Sequence, residues 1–265
     1  MLRKAVQDLL LGPSQIFNNG DWLEKLWFRK LKRSCYFAYK KFYERDFINF
    51  VEKNKGLMAH GHIIDVGANI GFTANLFSKH TSKPFFVYAF EPEKWNFKIL
   101  EESIKKNNLS NVKAISLALG ETDSRKTFWI NPKNSADHRV LSATQSRNQN
   151  ETVEIITKNF DSYWEQQGFE RISLIKMDIQ GYELFALKGM EKSLQKYRPL
   201  ILIELDNEKL KDHGHSVEDI YSLLSSLGYT AHKISHKGSL QSITKTELDS
   251  LLIQNEYLDI IFKTN

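Results

Sequence analysis

Residues 62–73, read as His-Ile-Ile-Asp-Val-Gly-Ala-Asn-Ile-Gly-Phe-Thr, constrain the fold more than any other stretch of this chain. A short apolar run ends in an acid, two glycines follow, and apolar residues then recur at helical spacing. The pattern reads as a strand, a tight turn and the start of a helix. Gly67 can take backbone angles closed to other residues and leaves no Cβ between chain and ligand. Gly71 lets the start of the helix pack closely on the strand. A turn of this kind offers a ligand a close approach to the backbone at the carboxyl edge of a sheet.

The rest of the chain repeats the rhythm. Strands are expected at 62–66, 85–90, 112–117, 172–177, 199–205, 229–234 and 257–262. Helices are expected at 72–80, 93–107, 184–195 and 217–227, the last ending at Gly228 as a C-cap. Strands alternating with helices imply right-handed crossovers. The expected fold is a doubly wound, mostly parallel, seven-stranded Rossmann-like α/β sheet, with the final strand returning antiparallel after an excursion at 235–256. An insertion interrupts it: residues 126–130 and 152–157 read as strands flanking a polar loop at 131–150. A polar loop that long inside a compact domain suggests a lid or binding loop.

Residues 1–56 read differently, as a helical, basic and aromatic appendage, with 57–265 as the main domain. Leu23, Leu26, Trp27 and Leu31, then Phe42, Phe47, Phe50 and Val51, recur at roughly helical spacing. Between Trp22 and Arg45 eight basic side chains face two acidic ones, about +6 of local charge in a chain whose net charge is +5. This segment suits a cap over the sheet, a homodimer contact, or a surface meeting anionic lipid or glycolipid. The mild overall charge and the lack of a reading motif argue against a nucleic-acid partner. The opening residues lack the apolar core of a signal peptide. No apolar run nears the roughly 20 residues of a membrane span. Cys35 is the single cysteine, which suits a reducing, cytoplasmic compartment.

The chemistry lies at the strand ends. A dinucleotide fold would place glycines in a G-x-G-x-x-G order. Here the order is D-x-G-x-x-x-G, and the charge of Asp65 would repel a pyrophosphate. A carboxylate there suits a positively charged ligand, and S-adenosylmethionine carries a sulfonium and an ammonium but no phosphate. Glu91 ends the second strand 20 residues beyond Gly71, where it can accept hydrogen bonds from ribose hydroxyls. Asp178 and Glu204 end later strands, so four acids fall at successive strand ends that converge on one crevice. Asp178 is the candidate for orienting an acceptor or acting as a general base. With Glu204 and Asp206 it could also hold Mg²⁺ through oxygen ligands. His138, in the polar loop, is the second candidate base, and His213 and His215 are weaker ones.

The ordered set of DVGANIGFTA, AFEP, Ala118-Leu119-Gly120, LIKMDIQGYEL and Leu187-Lys188-Gly189 resembles the FkbM-type methyltransferase family over roughly residues 60–205. The resemblance implies S-adenosylmethionine as cofactor and transfer of its methyl group to a hydroxyl of a sugar, glycan or secondary metabolite. It implies that Asp65, Gly67, Ala68, Asn69 and Gly71 surround the methionine part and that Glu91 holds the ribose. Leu117, Ala118 and Gly120 would flank the adenine, and Asp178 would stand near the sulfonium. Gln180 departs from the family, which carries an acid there. That departure keeps open a cofactor-binding scaffold without catalysis, beside transfer to nitrogen or an aminopropyl-type transfer.

Overall fold

The computed structural model describes residues 37–42, 44–131, 134, 136–142, 145, 151–168 and 170–264. The apolar positions expected to be helical at 23–31, together with Cys35, lie outside the described residues. Among the described residues no helix is long and apolar enough to cross a membrane.

The expected doubly wound α/β sheet is present. Its central strands are β1 (His62–Val66), β2 (Val87–Phe90) and β3 (Val112–Ile115) on one side. On the other side lie β8 (Ile172–Met177), β9 (Leu200–Leu205), β10 (Tyr229–Ile234), β11 (Leu240–Ser242) and β12 (Leu258–Thr264). The eight strands run in the order β11-β10-β12-β9-β8-β1-β2-β3. The pairings among β3, β2, β1, β8 and β9 are parallel. β12 enters between β9 and β10 and is antiparallel to both, as expected of the last strand. The sheet has one strand more than the sequence suggests, because β11 folds back on β10 as a hairpin. The excursion that hides it also holds a helix, Lys245–Gln254, which starts with a Thr244/Glu247 capping box. Leu248 is its one fully buried side chain, so it carries no apolar stripe from which to be read.

Alternate residues of the central strands point to opposite faces and both faces are covered. Ile64 and Val66 of β1 pack with Phe160, Trp164, Leu184 and Leu224 on one side. Ile63 packs with Phe47, Phe50, Val51, Phe77 and Leu100 on the other. Each such large apolar side chain contributes about 1.5–3 kcal/mol by leaving water. Burial on two faces is why these strands are continuously apolar rather than alternating. The second face is supplied in part by α1 (Arg45–Lys53), whose three buried side chains belong to the core of the sheet.

Three local expectations change. The strand expected at 112–117 stops at Ile115, and Ala118–Gly120 leaves as β4 of a separate four-stranded sheet, β4-β7-β5-β6. That sheet is the insertion: β5 (Ser124–Trp129), β6 (Arg139–Val140) and β7 (Thr152–Asn159). Next, a helix at Phe160–Gln166 follows it that pattern reading passes over, capped by Asn159 accepting from the Ser162 N–H and burying Phe160 and Trp164 one turn apart. Last, the helix expected at 184–195 is two helices, Glu183–Lys188 and Glu191–Tyr197. The break comes where Gly189 meets β4: a Cβ at Gly189 would lie 2.0 Å from the Gly120 carbonyl oxygen. Gly189 has an ordinary helical φ of −72°, so the contact alone requires glycine. Gly189→Ala is therefore expected to lower stability by about 1–3 kcal/mol, read from urea unfolding midpoints; an unchanged midpoint would refute the contact.

Candidate active site

A cleft of about 780 Å³ opens at the carboxyl edge of the sheet, within the range of small-molecule sites. Its floor is the turn after β1. Gly67, Asn69 and Gly71 all have left-handed backbones, with φ of 77°, 50° and 89°. The glycines serve packing here more than ligand approach. A Cβ on Gly67 would fall 2.1 Å from the Asp178 carbonyl oxygen, because the turns after β1 and β8 cross there. A Cβ on Gly71 would fall 2.8 Å from Leu100 on the helix Lys94–Lys106. Gly71 thus fits the turn to that neighbouring helix, not to the strand. Gly67, Ala68 and Asn69 line the cleft, and Gly71 lies outside the lining.

Asp65 is sealed beneath the turn rather than facing the cleft. Its Oδ2 accepts from Thr73 Oγ1 at 2.6 Å, and its Oδ1 lies 3.8 Å from the Lys176 ammonium. Burial raises its pKa, and Lys176 and Thr73 pull the other way. Lys176 also stands 3.7 Å from Asp178 and donates to the Gly67 carbonyl at 3.3 Å. Burial works against its charge, but Asp178 and Asp65 outweigh it and hold its pKa above the ordinary lysine value. The charge that Asp65 balances is therefore the protein's own. A lone lysine inside the apolar run Ile175-Lys176-Met177 was a readable sign of this, since a buried ammonium must be paired.

Glu91 lies where the sequence puts it, on the cleft wall. Oε2 accepts the Asn69 N–H and Oε1 the Glu93 N–H, each at 2.9 Å. A carboxylate offers about four acceptor positions, so two remain for a ligand. Burial pushes its pKa up to about 7, against the pull of the two N–H groups. Leu117, Ala118 and Leu119 form the adjoining apolar wall. Gly120 lies behind them, against Tyr182 and Gly189.

At the other end, the turn after β8 is folded by Glu183, whose Oε1 accepts the Ile179 and Gly181 N–H groups. Burial pushes Glu183 up to about 7. Gln180, with φ of 59°, donates its amide to Asp178 Oδ1 at 2.5 Å and to Glu204 Oε1 at 3.2 Å. Lys209 donates to its Oε1. This arrangement does not fit Mg²⁺. An amide N–H₂ sits between the two carboxylates, and Asp206 is spent as a helix cap, accepting from the Glu208 and Lys209 N–H groups. Among the described residues no three His, Cys, Asp or Glu side chains form a metal cluster.

The insertion roofs this end with Asp137, His138 and Arg139. His138 is not the base expected from the sequence. Its Nδ1 accepts the Asn131 N–H at 2.9 Å, so the neutral ring carries its proton on Nε2 and can only donate there. Burial pushes its pKa down to about 4. His213 and His215 do not reach the cleft. His213 is hydrogen-bonded to the backbone of Val140, and both rings lie against Phe185. His213 ties the insertion to the main domain, helped by an Arg139–Asp212 contact of 3.4 Å.

A family model, the methyltransferase FkbM domain, matches residues 65–231 of the chain, more than half of its length. The chain belongs to the FkbM methyltransferase family. Methyltransferase 1 of Beauveria bassiana (strain ARSEF 2860) is 25% identical over 164 residues, 56% of this chain and 65% of that protein. Methyltransferase sdnD of Sordaria araneosa is 25% identical over 192 residues, covering 60% and 74% of the two chains. The chain thus spans just under two thirds of the length of the first of these relatives. In fold it is similar to the methyltransferase FkbM of Methylobacillus flagellatus KT, with a TM-score of 0.51 at 17% identity over 82% of this chain and 47% of that one.

His138 should remain neutral, with the proton on Nε2, from about pH 5 to about pH 8, by two-dimensional nitrogen-15 NMR. An imidazole titrating near its ordinary value of about 6.5 would contradict the buried hydrogen bond to Asn131.

Proposed function

We propose that the protein is an S-adenosylmethionine-dependent methyltransferase acting on a hydroxyl of a neutral acceptor, of the sugar, glycan or secondary-metabolite class. The observation that carries the cofactor half is Glu91, a buried carboxylate on the cleft wall with two acceptor positions left after its backbone bonds. Those positions suit the two hydroxyls of a ribose. The apolar wall 117–119 suits an adenine, and the Gly67–Ile70 turn suits the methionine part.

The acceptor half favours hydroxyl groups over anions. Among the described residues, each of the four Lys and Arg side chains lining the cleft has an acid within 4 Å: Lys40 with Glu44, Arg139 with Asp137, Lys176 with Asp65 and Lys209 with Asp206. Asp137 Oδ1 and Arg139 Nε are buried without hydrogen-bond partners among the described residues. One accepts and the other donates, and a hydroxyl-bearing ligand can satisfy both.

When bound, the sulfonium supplies an already activated methyl group. The protein's part is to hold an acceptor oxygen in line with it, which is worth several kcal/mol of barrier, and to receive a proton. Calorimetric titration with S-adenosylhomocysteine, with NAD⁺ as control, tests the reading. Binding should be micromolar and weakened about 10- to 100-fold in Glu91→Ala. Because ribose hydroxyls need the ionised carboxylate, affinity should be full above about pH 7 and fall toward ~tenfold per unit below it. A folded protein that binds neither S-adenosylhomocysteine nor S-adenosylmethionine would end this proposal.

A further inference from the structure

We propose that Glu204 is the group that takes the acceptor's proton, held in place by the side-chain amide of Gln180. The inference rests on the methyltransferase reading above and assigns the base that this reading leaves open.

The geometry separates the two acids at this end of the cleft. β8 and β9 are parallel, with Met177 paired to Ile203, so Asp178 and Glu204 stand side by side just beyond the pair. Both line the main cleft, and both also line a smaller cavity of about 40 Å³ that continues toward Asp259 and Lys40. Asp178 is committed: one oxygen takes the Gln180 amide and the other faces Lys176. Glu204 is committed on Oε1 only, and Oε2 accepts no hydrogen bond among the described residues. Gln180 is fixed at its far end by Lys209, and as a non-glycine residue in the left-handed region its backbone is costly. A carboxylate at position 180 would repel both acids, whereas the amide binds both at once.

The surrounding charges divide the pair further. Burial pushes Asp178 up, but Lys176, Lys40 and Lys209, with the Gln180 amide, outweigh it and hold Asp178 below the ordinary range. Burial, Asp178 and then Asp259, its register partner on β12, push Glu204 well above its ordinary value, with Lys209 and Lys40 opposing. Glu44 adds to the negative charge around Asp259, and Asp206 is paired with Lys209 at 3.1 Å. Two neighbouring carboxyls driven apart in this way mark separate roles: a permanent charge and a proton carrier. Positive charge entering the cleft favours ionised Glu204, and loss of that charge on methyl transfer restores its affinity for a proton. In that step the acceptor oxygen bonds to the methyl carbon and the carbon–sulfur bond breaks with its electron pair left on sulfur. The hydroxyl proton passes to Glu204 Oε2, which later releases it to water.

The test is carbon-13 NMR of protein labelled at the glutamate carboxyls. The Glu204 signal is assigned by its absence in Glu204→Gln and titrated alone, with S-adenosylmethionine and with S-adenosylhomocysteine. Glu204 should titrate above the ordinary glutamate value of about 4.3, and at lower pH with S-adenosylmethionine than with S-adenosylhomocysteine. Ionisation together with the surface glutamates, in the protein alone, would overturn the proposal whether or not either ligand binds. Methyl transfer from S-adenosylmethionine to a panel of methyl hexosides gives the second readout. Glu204→Gln should lose ~10²-fold or more in kcat, with S-adenosylhomocysteine affinity within about twofold. Full activity in that variant would also overturn it. Loss of ligand binding in the unaltered protein would count against the methyltransferase reading instead.

Discussion

Lys176 is a lysine at the end of a central strand, 8% exposed, and the site is arranged around its charge. A buried ammonium without partners would cost several kcal/mol, so the ends of β1 and β8 must each bring an acid to it. Asp65 comes from one side and Asp178 from the other, and the Gly67 carbonyl closes the set. That triangle brings the two turns so close that Gly67 has no room for a side chain against the Asp178 carbonyl. The turn geometry then presents the Asn69 N–H to Glu91. One ion cluster thus links the floor of the cleft to both of its ends.

The same cluster explains why acids of similar appearance differ in behaviour. Asp65 balances Lys176 from below the turn and never meets the cleft. Asp178 shares the same lysine but reaches the surface of the cleft, where it keeps its charge. Glu91 has only backbone N–H groups as partners, and Glu204 has an amide and two acidic neighbours, so burial drives both upward. Four carboxyls at four strand ends become one structural counter-ion, one acid held below the ordinary range and two cleft-lining acids that burial pushes up.

Much of this was legible in the sequence. The D-x-G-x-x-x-G turn and Glu91 locate the cleft because strand ends in a doubly wound sheet converge, whatever the details of packing. The core strands were legible because burial on both faces makes them uniformly apolar. What escaped depends on contacts between distant segments. Nothing near Gly120 or Gly189 announces that they touch, so the split helix was not foreseeable. Phe160 and Trp164 carried a usable signal, an apolar pair one turn apart behind an Asn cap. His138, in the polar loop, lines the cleft, but its role turns on which ring nitrogen faces Asn131, and spacing cannot encode that. Lys209 and Gln180 meet only in three dimensions, and with them the Mg²⁺ reading gives way to an amide bridge.

The most direct test of the account is a crystal structure of the protein with S-adenosylhomocysteine. The ribose hydroxyls are expected on Glu91, the adenine against Leu117, Ala118 and Leu119, and the sulfur turned toward Asp178 and Glu204. A ligand bound elsewhere, or bound in this cleft with Glu91 untouched, would contradict it.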